Sequence, residues 1–209
     1  MKPTFLIIFF LLYAFDFAAA DLDPVYDPSH RKLQTGVEYY IHPFLGGSNG
    51  GGITLASTRN KTCPLDVAQD RSNFADGLGL TFHPVNIKKG MSGRVIRVST
   101  DLVIKFSSVK GCARSGVWKV DKYDELRRRY FVTIGGAEGR GAGESFRGWF
   151  RIEKEKDDYK LVYCKQVQCI TAPCNPVCDN VGAYYEHGRT LLALTEEPLV
   201  VLFQEVFKG

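Results

Sequence analysis

Lys88, Lys89, Arg94 and Arg97 place four basic side chains within ten residues of one stretch, FHPVNIKKGMSGRVIRVSTDLVIKF, residues 82–106. Pro84, Gly90 and Gly93 break periodicity there, so the stretch reads as a loop between two strand-like runs, LTF (80–82) and LVIKF (102–106). The chemistry open to these residues is recognition. An endopeptidase meets such a loop as an extended basic peptide, and only the stiffness of its supports turns a substrate into an inhibitor. Solvated hairpin connections carry the same residue types, so the supports decide between the two readings.

Constellations that make or break bonds are missing from the sequence. His30, His42, His83 and His187 are scattered and form no HExxH pair. Ser92 lies in GMSG and Ser145 in GESF, neither of which is a GxSxG elbow. The glycine-rich runs at 46–52 and 135–143 lack the GK[ST] ending of a phosphate loop and read as turns. Glu153, Glu155, Asp157 and Asp158 alternate with lysines, as in a solvated hairpin, in preference to a glycosidase carboxylate pair. Cys164, Cys169, Cys174 and Cys178 crowd one segment without a CxxC pair, which favours disulfides over zinc. No cofactor, no metal and no enzymatic activity are expected.

Residues 1–20 explain why disulfides are the better reading. Lys2 supplies a positive start, residues 5–15 are an unbroken apolar core, and Ala18, Ala19 and Ala20 provide small residues for cleavage before Asp21. That pattern is a secretory signal peptide, too short to span a bilayer. Residues 21–209 are then one exported domain carrying six cysteines as three disulfides, with the connectivity left open by spacing alone. Asn60, Lys61 and Thr62 form a glycosylation sequon, which places Asn60 on the surface if it is used. A net charge of +4 argues against a nucleic-acid partner, and no later stretch is apolar enough for a membrane. The one basic run, Arg127, Arg128 and Arg129, reads as a solvated turn before it reads as a site for an acidic polymer.

The elements that must hold the basic loop are short strands. Candidates fall at 37–41, 52–56, 94–98, 102–106, 117–120, 130–134, 149–152, 159–163, 183–185, 190–194 and 199–203, several of them alternating apolar with polar. With 21 glycines and 9 prolines between them, they indicate an all-β sandwich or closed barrel. The best helical candidate, 121–127, is charged enough to be a turn instead. Gly36, Gly93 and Gly148 each precede a strand-like run at near-equal spacing, which suggests three related units.

Several motifs in order resemble those of one family, the plant Kunitz-type inhibitors of the soybean trypsin inhibitor class, and within it the miraculin-like branch. They include VYD (25–27), TG (35–36), EYYI (38–41), GGGITL (50–55), CPLDVAQ (63–69), STDLVIKF (99–106), WKVDKYD (118–124), YFVTIGG (130–136), WFRIE (149–153), YKLVYC (159–164) and CDNVG (178–182). The resemblance covers nearly all of 24–206. It implies a β-trefoil: a six-stranded barrel capped by three hairpins, with pseudo-threefold symmetry and disulfide staples.

The resemblance further implies the pairs Cys63–Cys112, Cys164–Cys178 and Cys169–Cys174. A Cys63–Cys112 bridge would enclose the whole basic loop and contribute about 4 kcal/mol by the loop-entropy model. Inhibitory members present the loop between the fourth and fifth strands to a serine protease in the manner of a substrate. An ungapped match puts Ser92 at their specificity position, with Gly93 next and Arg94 two residues on. The loop is longer than in miraculin-like members, so Lys88 and Lys89 are candidates as well. Thr35 stands where inhibitory members carry a bracing asparagine. The expected function is a secreted or vacuolar, monomeric inhibitor of serine endopeptidases in plant defence, cysteine or aspartic proteases being the other targets considered. A non-inhibitory storage or binding protein on the same fold is the alternative.

Overall fold

The computed structural model describes residues 22–44, 50–59, 63, 65–85, 93–109, 115–137, 148–165 and 176–207. The expected signal peptide, Asn60, Lys88, Lys89, Ser92, Cys112, Cys169 and Cys174 lie outside them. Among the described residues there are twelve strands and no helix: β1 (Tyr39–Pro43), β2 (Ile53–Ala56), β3 (Asp66–Gln69), β4 (Leu80–Pro84), β5 (Leu102–Phe106), β6 (Trp118–Val120), β7 (Val132–Ile134), β8 (Gly148–Glu155), β9 (Asp158–Lys165), β10 (Val177–Glu186), β11 (Arg189–Thr195) and β12 (Val200–Glu205).

Strand pairing gives the architecture directly. The path β12-β1-β4-β5-β8-β9 closes on itself through β9–β12, which makes a six-stranded antiparallel barrel. The other strands form hairpins β2–β3, β6–β7 and β10–β11, held to one another through β3–β7 and β3–β11. Four strands recur three times, as β1–β4, β5–β8 and β9–β12, with a hairpin at the centre of each unit. This is the β-trefoil that the sequence motifs imply.

The barrel interior is aromatic. Phe82, Phe106 and Phe203 are fully buried. Phe203 meets Phe82 edge-on at 5.4 Å and Tyr159 at 5.8 Å, while Trp118 bridges Phe106 and Phe150, each at 5.8 Å. Such offset and edge contacts are the favoured geometry for rings sharing a core. Cys164 and Cys178 face each other across β9 and β10 and are disulfide-bonded. Cys63 is disulfide-bonded as well.

Two expectations need correction, and one strand was not expected. The stretch 94–98 is not a barrel strand: Val95 and Arg97 form isolated bridges to Gln34 and Pro24 in the N-terminal segment. β3 carried no strand signal because all four of its residues are buried, including Asp66 and Gln69, so the apolar–polar alternation that marks a one-sided strand is absent. The three glycines are not equivalent by the threefold. Gly36 leads into the first strand of its unit, Gly148 opens the last strand of another, and Gly93 precedes no strand.

Asp66 is buried because Arg59 is buried with it. Both side chains are almost wholly enclosed, and the guanidinium binds both Asp66 oxygens through Nε and Nη2. It also reaches Asp121 at 3.2 Å and Asp124 at 3.4 Å, and stacks 4.3 Å from the Phe131 ring centre. Asp124 passes the network to Arg127, which binds both oxygens of Glu186 at 2.9 and 2.7 Å. One polar cluster therefore joins the β2–β3, β6–β7 and β10–β11 hairpins. Arg127 and Arg129 are structural for the same reason, since Arg129 lies 4.4 Å from the Tyr184 ring centre. Arg128 alone of the basic run is exposed.

Replacing Arg59 by Met leaves Asp66 buried without its counter-charge, and a loss of about 3–5 kcal/mol is expected in chemical denaturation. The cluster also sets an acid limit. Burial alone would raise the Asp124 pKa, but the Arg127 amide, the Arg59 guanidinium and the charges of both arginines outweigh it and hold the carboxyl below 3.8. Because the folded value lies below the unfolded one, the resulting stability is present above pH 3.8 and lost as pH falls through the lower folded value. Asp124→Asn should flatten the acid limb of the stability–pH curve and leave the neutral region with a lower plateau.

Candidate functional site

Antiparallel alternation sends the end of β4, the start of β5 and the β8–β9 turn to the barrel end remote from the hairpins. The β4–β5 connection, residues 85–101, carries the basic stretch. Its base is closed by the ladder ending in the Pro84–Leu102 pair and by the Val85 amide donating to the Asp101 carbonyl at 2.9 Å. Arg151 Nε, on β8, binds Asp101 Oδ1 at 2.7 Å. The Ser99 amide donates to the Ile152 carbonyl at 2.9 Å and the Ser99 hydroxyl to Glu153 Oε2 at 2.6 Å. Ser99 makes both contacts from the left-handed region, at φ 55°.

The return arm of this connection, residues 93–98, is fixed by the N-terminal segment. Val25 N donates to Ile96 O, Ile96 N to Leu33 O, and Leu33 N to Val25 O, each at 2.9 Å. The three residues thus form a closed ring of backbone hydrogen bonds, and all three side chains have no exposed surface and join the barrel core. Outside the ring, Val98 N donates to Asp23 O at 2.9 Å, and Arg97 Nη1 to Leu22 O at 2.6 Å. Thr35 grips the other side: its amide donates to Arg94 O at 2.8 Å and its hydroxyl to Gly93 O at 2.6 Å.

A tight turn brings the two limbs of the N-terminal segment together. The buried Asp27 carboxylate accepts the amides of Ser29 at 2.9 Å and Arg31 at 2.8 Å, an Asx arrangement, and binds Arg31 Nε at 2.9 Å. Arg31 continues to Glu205 at the end of β12, 3.0 Å away. His30 takes up φ 58° at the tip.

Of the residues singled out in the sequence, Thr35, Gly93 and Arg94 are brought together here. Gly93 is half-buried and Arg94 is exposed. Sequence reasoning missed Val25, Leu33, Ile96, Asp27 and Arg31. The D-x-S-x-R spacing at 27–31 was a readable turn signal, whereas the ring is a tertiary pairing with no local pattern. The histidines do not assemble into a catalytic group: His42 Nε2 lies 3.7 Å from Asp76, and His83 Nε2 pairs with Thr81 Oγ1 at 3.0 Å. Among the described residues, no group of three or more His, Cys, Asp or Glu is placed to hold a metal ion.

Comparison with known proteins gives the arrangement its relatives. The Kunitz legume family model, described as trypsin and protease inhibitor, matches residues 25–205. Miraculin of Synsepalum dulcificum is 42% identical over 191 residues, covering 88% of this chain and 83% of the relative. Kunitz trypsin inhibitor 5 of Arabidopsis thaliana is 35% identical over 188 residues, covering 90% and 88%. Among solved structures, the soybean trypsin inhibitor in complex with porcine pancreatic trypsin superimposes with a TM-score of 0.68 at 29% identity, covering 88% of this chain and all of that one.

Thr35→Val tests the grip on the arm without changing side-chain shape. Loss of the hydroxyl leaves the Gly93 carbonyl without that donor, and about 0.5–1.5 kcal/mol should disappear from the unfolding free energy measured in urea.

Proposed function

This chain belongs to the Kunitz legume family of trypsin and protease inhibitors, and we propose that it inhibits serine endopeptidases, trypsin-like ones foremost, by presenting residues 85–98 as a substrate that is held too firmly to be consumed. The observation that carries the reading is the fixed return arm. Gly93 and Arg94 are bound by their carbonyls, and Ile96 by both backbone groups, to a segment distant in sequence. An arm fixed in this way brings little ordering cost to the complex, where each mobile side chain would otherwise cost roughly 0.5–1.5 kcal/mol. After cleavage the scaffold keeps the new ends adjacent, so rejoining competes with release.

A basic side chain from Lys88, Lys89 or Arg94 suits the acidic specificity pocket of a trypsin-like enzyme. Ser92 and Gly93 complete the contact stretch, with Thr35 as its support. The protein acts as a monomer and performs no chemistry of its own. The signal-like residues 1–20 support export through the secretory pathway, to the cell exterior or the vacuole, with Asn60 as a glycan site and defence as the role. The cysteine pairs Cys63–Cys112 and Cys169–Cys174 complete the covalent frame beside Cys164–Cys178.

One observation favours a second reading, a storage or binding protein on the same scaffold. Thr35 has one hydroxyl proton, given to Gly93 O, where an amide side chain would offer two donors. The arm is braced at fewer points than an asparagine would allow.

Titration against trypsin, chymotrypsin and subtilisin separates the readings. We expect tight, stoichiometric inhibition of trypsin and a slow cut, located by mass spectrometry, within 85–98. Among Lys88→Glu, Lys89→Glu and Arg94→Glu, one should weaken binding at least about 30-fold, the scale of a central contact. Three unaltered tight inhibitors would remove these side chains from the interface. A cut elsewhere would sink the loop assignment, and no inhibition of any of the enzymes would leave the second reading.

A further inference from the structure

The hydrogen-bond ring that holds the arm uses alternate amides of the N-terminal segment. Those of Val25 and Leu33 point into the ring, so the neighbouring amides of Tyr26 and Gln34 point the other way, toward the barrel wall. Backbone donors turned toward the wall need acceptors on it. Two barrel tyrosines meet them. The Tyr159 hydroxyl, on β9, accepts the Tyr26 amide at 2.9 Å, and the Tyr39 hydroxyl, on β1, accepts the Gln34 amide at 2.8 Å.

Both phenols are well placed for this task. Tyr39 and Tyr159 are 3% and 5% exposed, and their rings are held in the core against Phe82 at 6.1 Å and Phe203 at 5.8 Å. Lys154 donates to the Tyr159 hydroxyl at 3.1 Å, fixing it from a second side. Each limb of the N-terminal turn therefore rests on one rigid hydroxyl: the limb 24–26 on Tyr159 and the limb 32–34 on Tyr39. The first limb carries Val25 to the Ile96 carbonyl. The second carries Leu33 and then Thr35, whose amide and hydroxyl hold Arg94 and Gly93.

We propose that the hydroxyls of Tyr39 and Tyr159 are positioning groups that set the height and register of the N-terminal segment and, through it, the conformation of the loop's return arm. They touch no protease. Their effect is on how long the arm holds its shape once a protease is bound, which rests on the inhibitor reading above. Burial raises the Tyr39 pKa above 10, which keeps that hydroxyl neutral.

The test uses Tyr39→Phe, Tyr159→Phe and the double variant in the folded protein, because phenylalanine keeps the ring contacts in the core and removes only the acceptor. Tyr184→Phe, on the hairpin side, is the matched control. Residue-resolved amide exchange should quicken about tenfold or more at Tyr26, Gln34, Thr35 and Ile96, while Ile104 and Val162 in the barrel stay within about twofold of wild type. In the protease assay the cut within 85–98 should quicken by a similar factor, with a smaller loss of initial affinity. Exchange at Thr35 and Ile96 that stays at the wild-type rate would overturn the proposal. Equal quickening in the barrel would overturn it too, since the hydroxyls would then serve only overall stability. If wild type binds no serine protease, the inhibitor reading fails, and the exchange measurement still decides the positioning role.

Discussion

The ring of hydrogen bonds linking Val25, Ile96 and Leu33 is the constraint on which this structure turns. Closing six strands into a barrel removes every sheet edge, but it leaves two open ends through which water would reach the aromatic core. The hairpins cover one end. The other is stopped by three apolar side chains that arrive on three separate stretches of backbone, each stretch too short to be a strand. Backbone groups carried into such a site must be paired, and the ring pairs them with one another. The same act that seals the barrel also fixes residues 93–98 of the β4–β5 connection, so core integrity and the path of that arm share a cause.

The two ends of the barrel are held in different ways. At the hairpin end, a buried guanidinium gathers carboxylates from the first and second units, and Arg127 extends the cluster to the third. Charges removed from water are favourable only when every partner is present, which makes this end specific in geometry and intolerant of a missing partner. At the loop end, apolar side chains, backbone amides and hydroxyls are joined by separate ion pairs, Arg151 with Asp101 and the buried Asp27 with Arg31, which goes on to Glu205.

Much of the barrel was legible in the sequence. LVIKF alternates cleanly, and β5 occupies the same residues, 102–106. The β8–β9 hairpin was readable from its apolar runs and the acidic, lysine-rich tip, where Lys160 pairs with Glu155 at 2.8 Å. β3 was not legible because burial on both faces erases alternation, and because the buried Asp66 finds its partners, Thr58 and Arg59, only once the β2–β3 hairpin has folded. The run RVIRV at 94–98 looked like a strand for a sound local reason, yet its partners are N-terminal residues and not a barrel neighbour. Thr35 came from a family resemblance, and no local pattern marks it. The tyrosine hydroxyls beneath it were invisible, since a phenol reads in sequence as core and only its distance to an amide shows it as an acceptor.

An inhibitory loop has to satisfy two opposed demands, and on the inhibitor reading proposed above the boundary between them falls at Gly93 and Arg94. Toward the protease, the chain must be exposed and extended enough to enter a cleft built for substrates. Toward the scaffold, it must be unable to drift after a bond is cut. A side chain reports to the first demand and a carbonyl to the second. At Arg94 these separate within one residue: the side chain is exposed while the carbonyl is bound by the Thr35 amide. Because restraint at Gly93 and Arg94 acts through backbone groups, the side chain at position 94 can change identity without dismantling the support. Specificity for one protease or another can then vary on a frame whose rigidity comes from Val25, Leu33, Ile96 and the hydroxyls behind them.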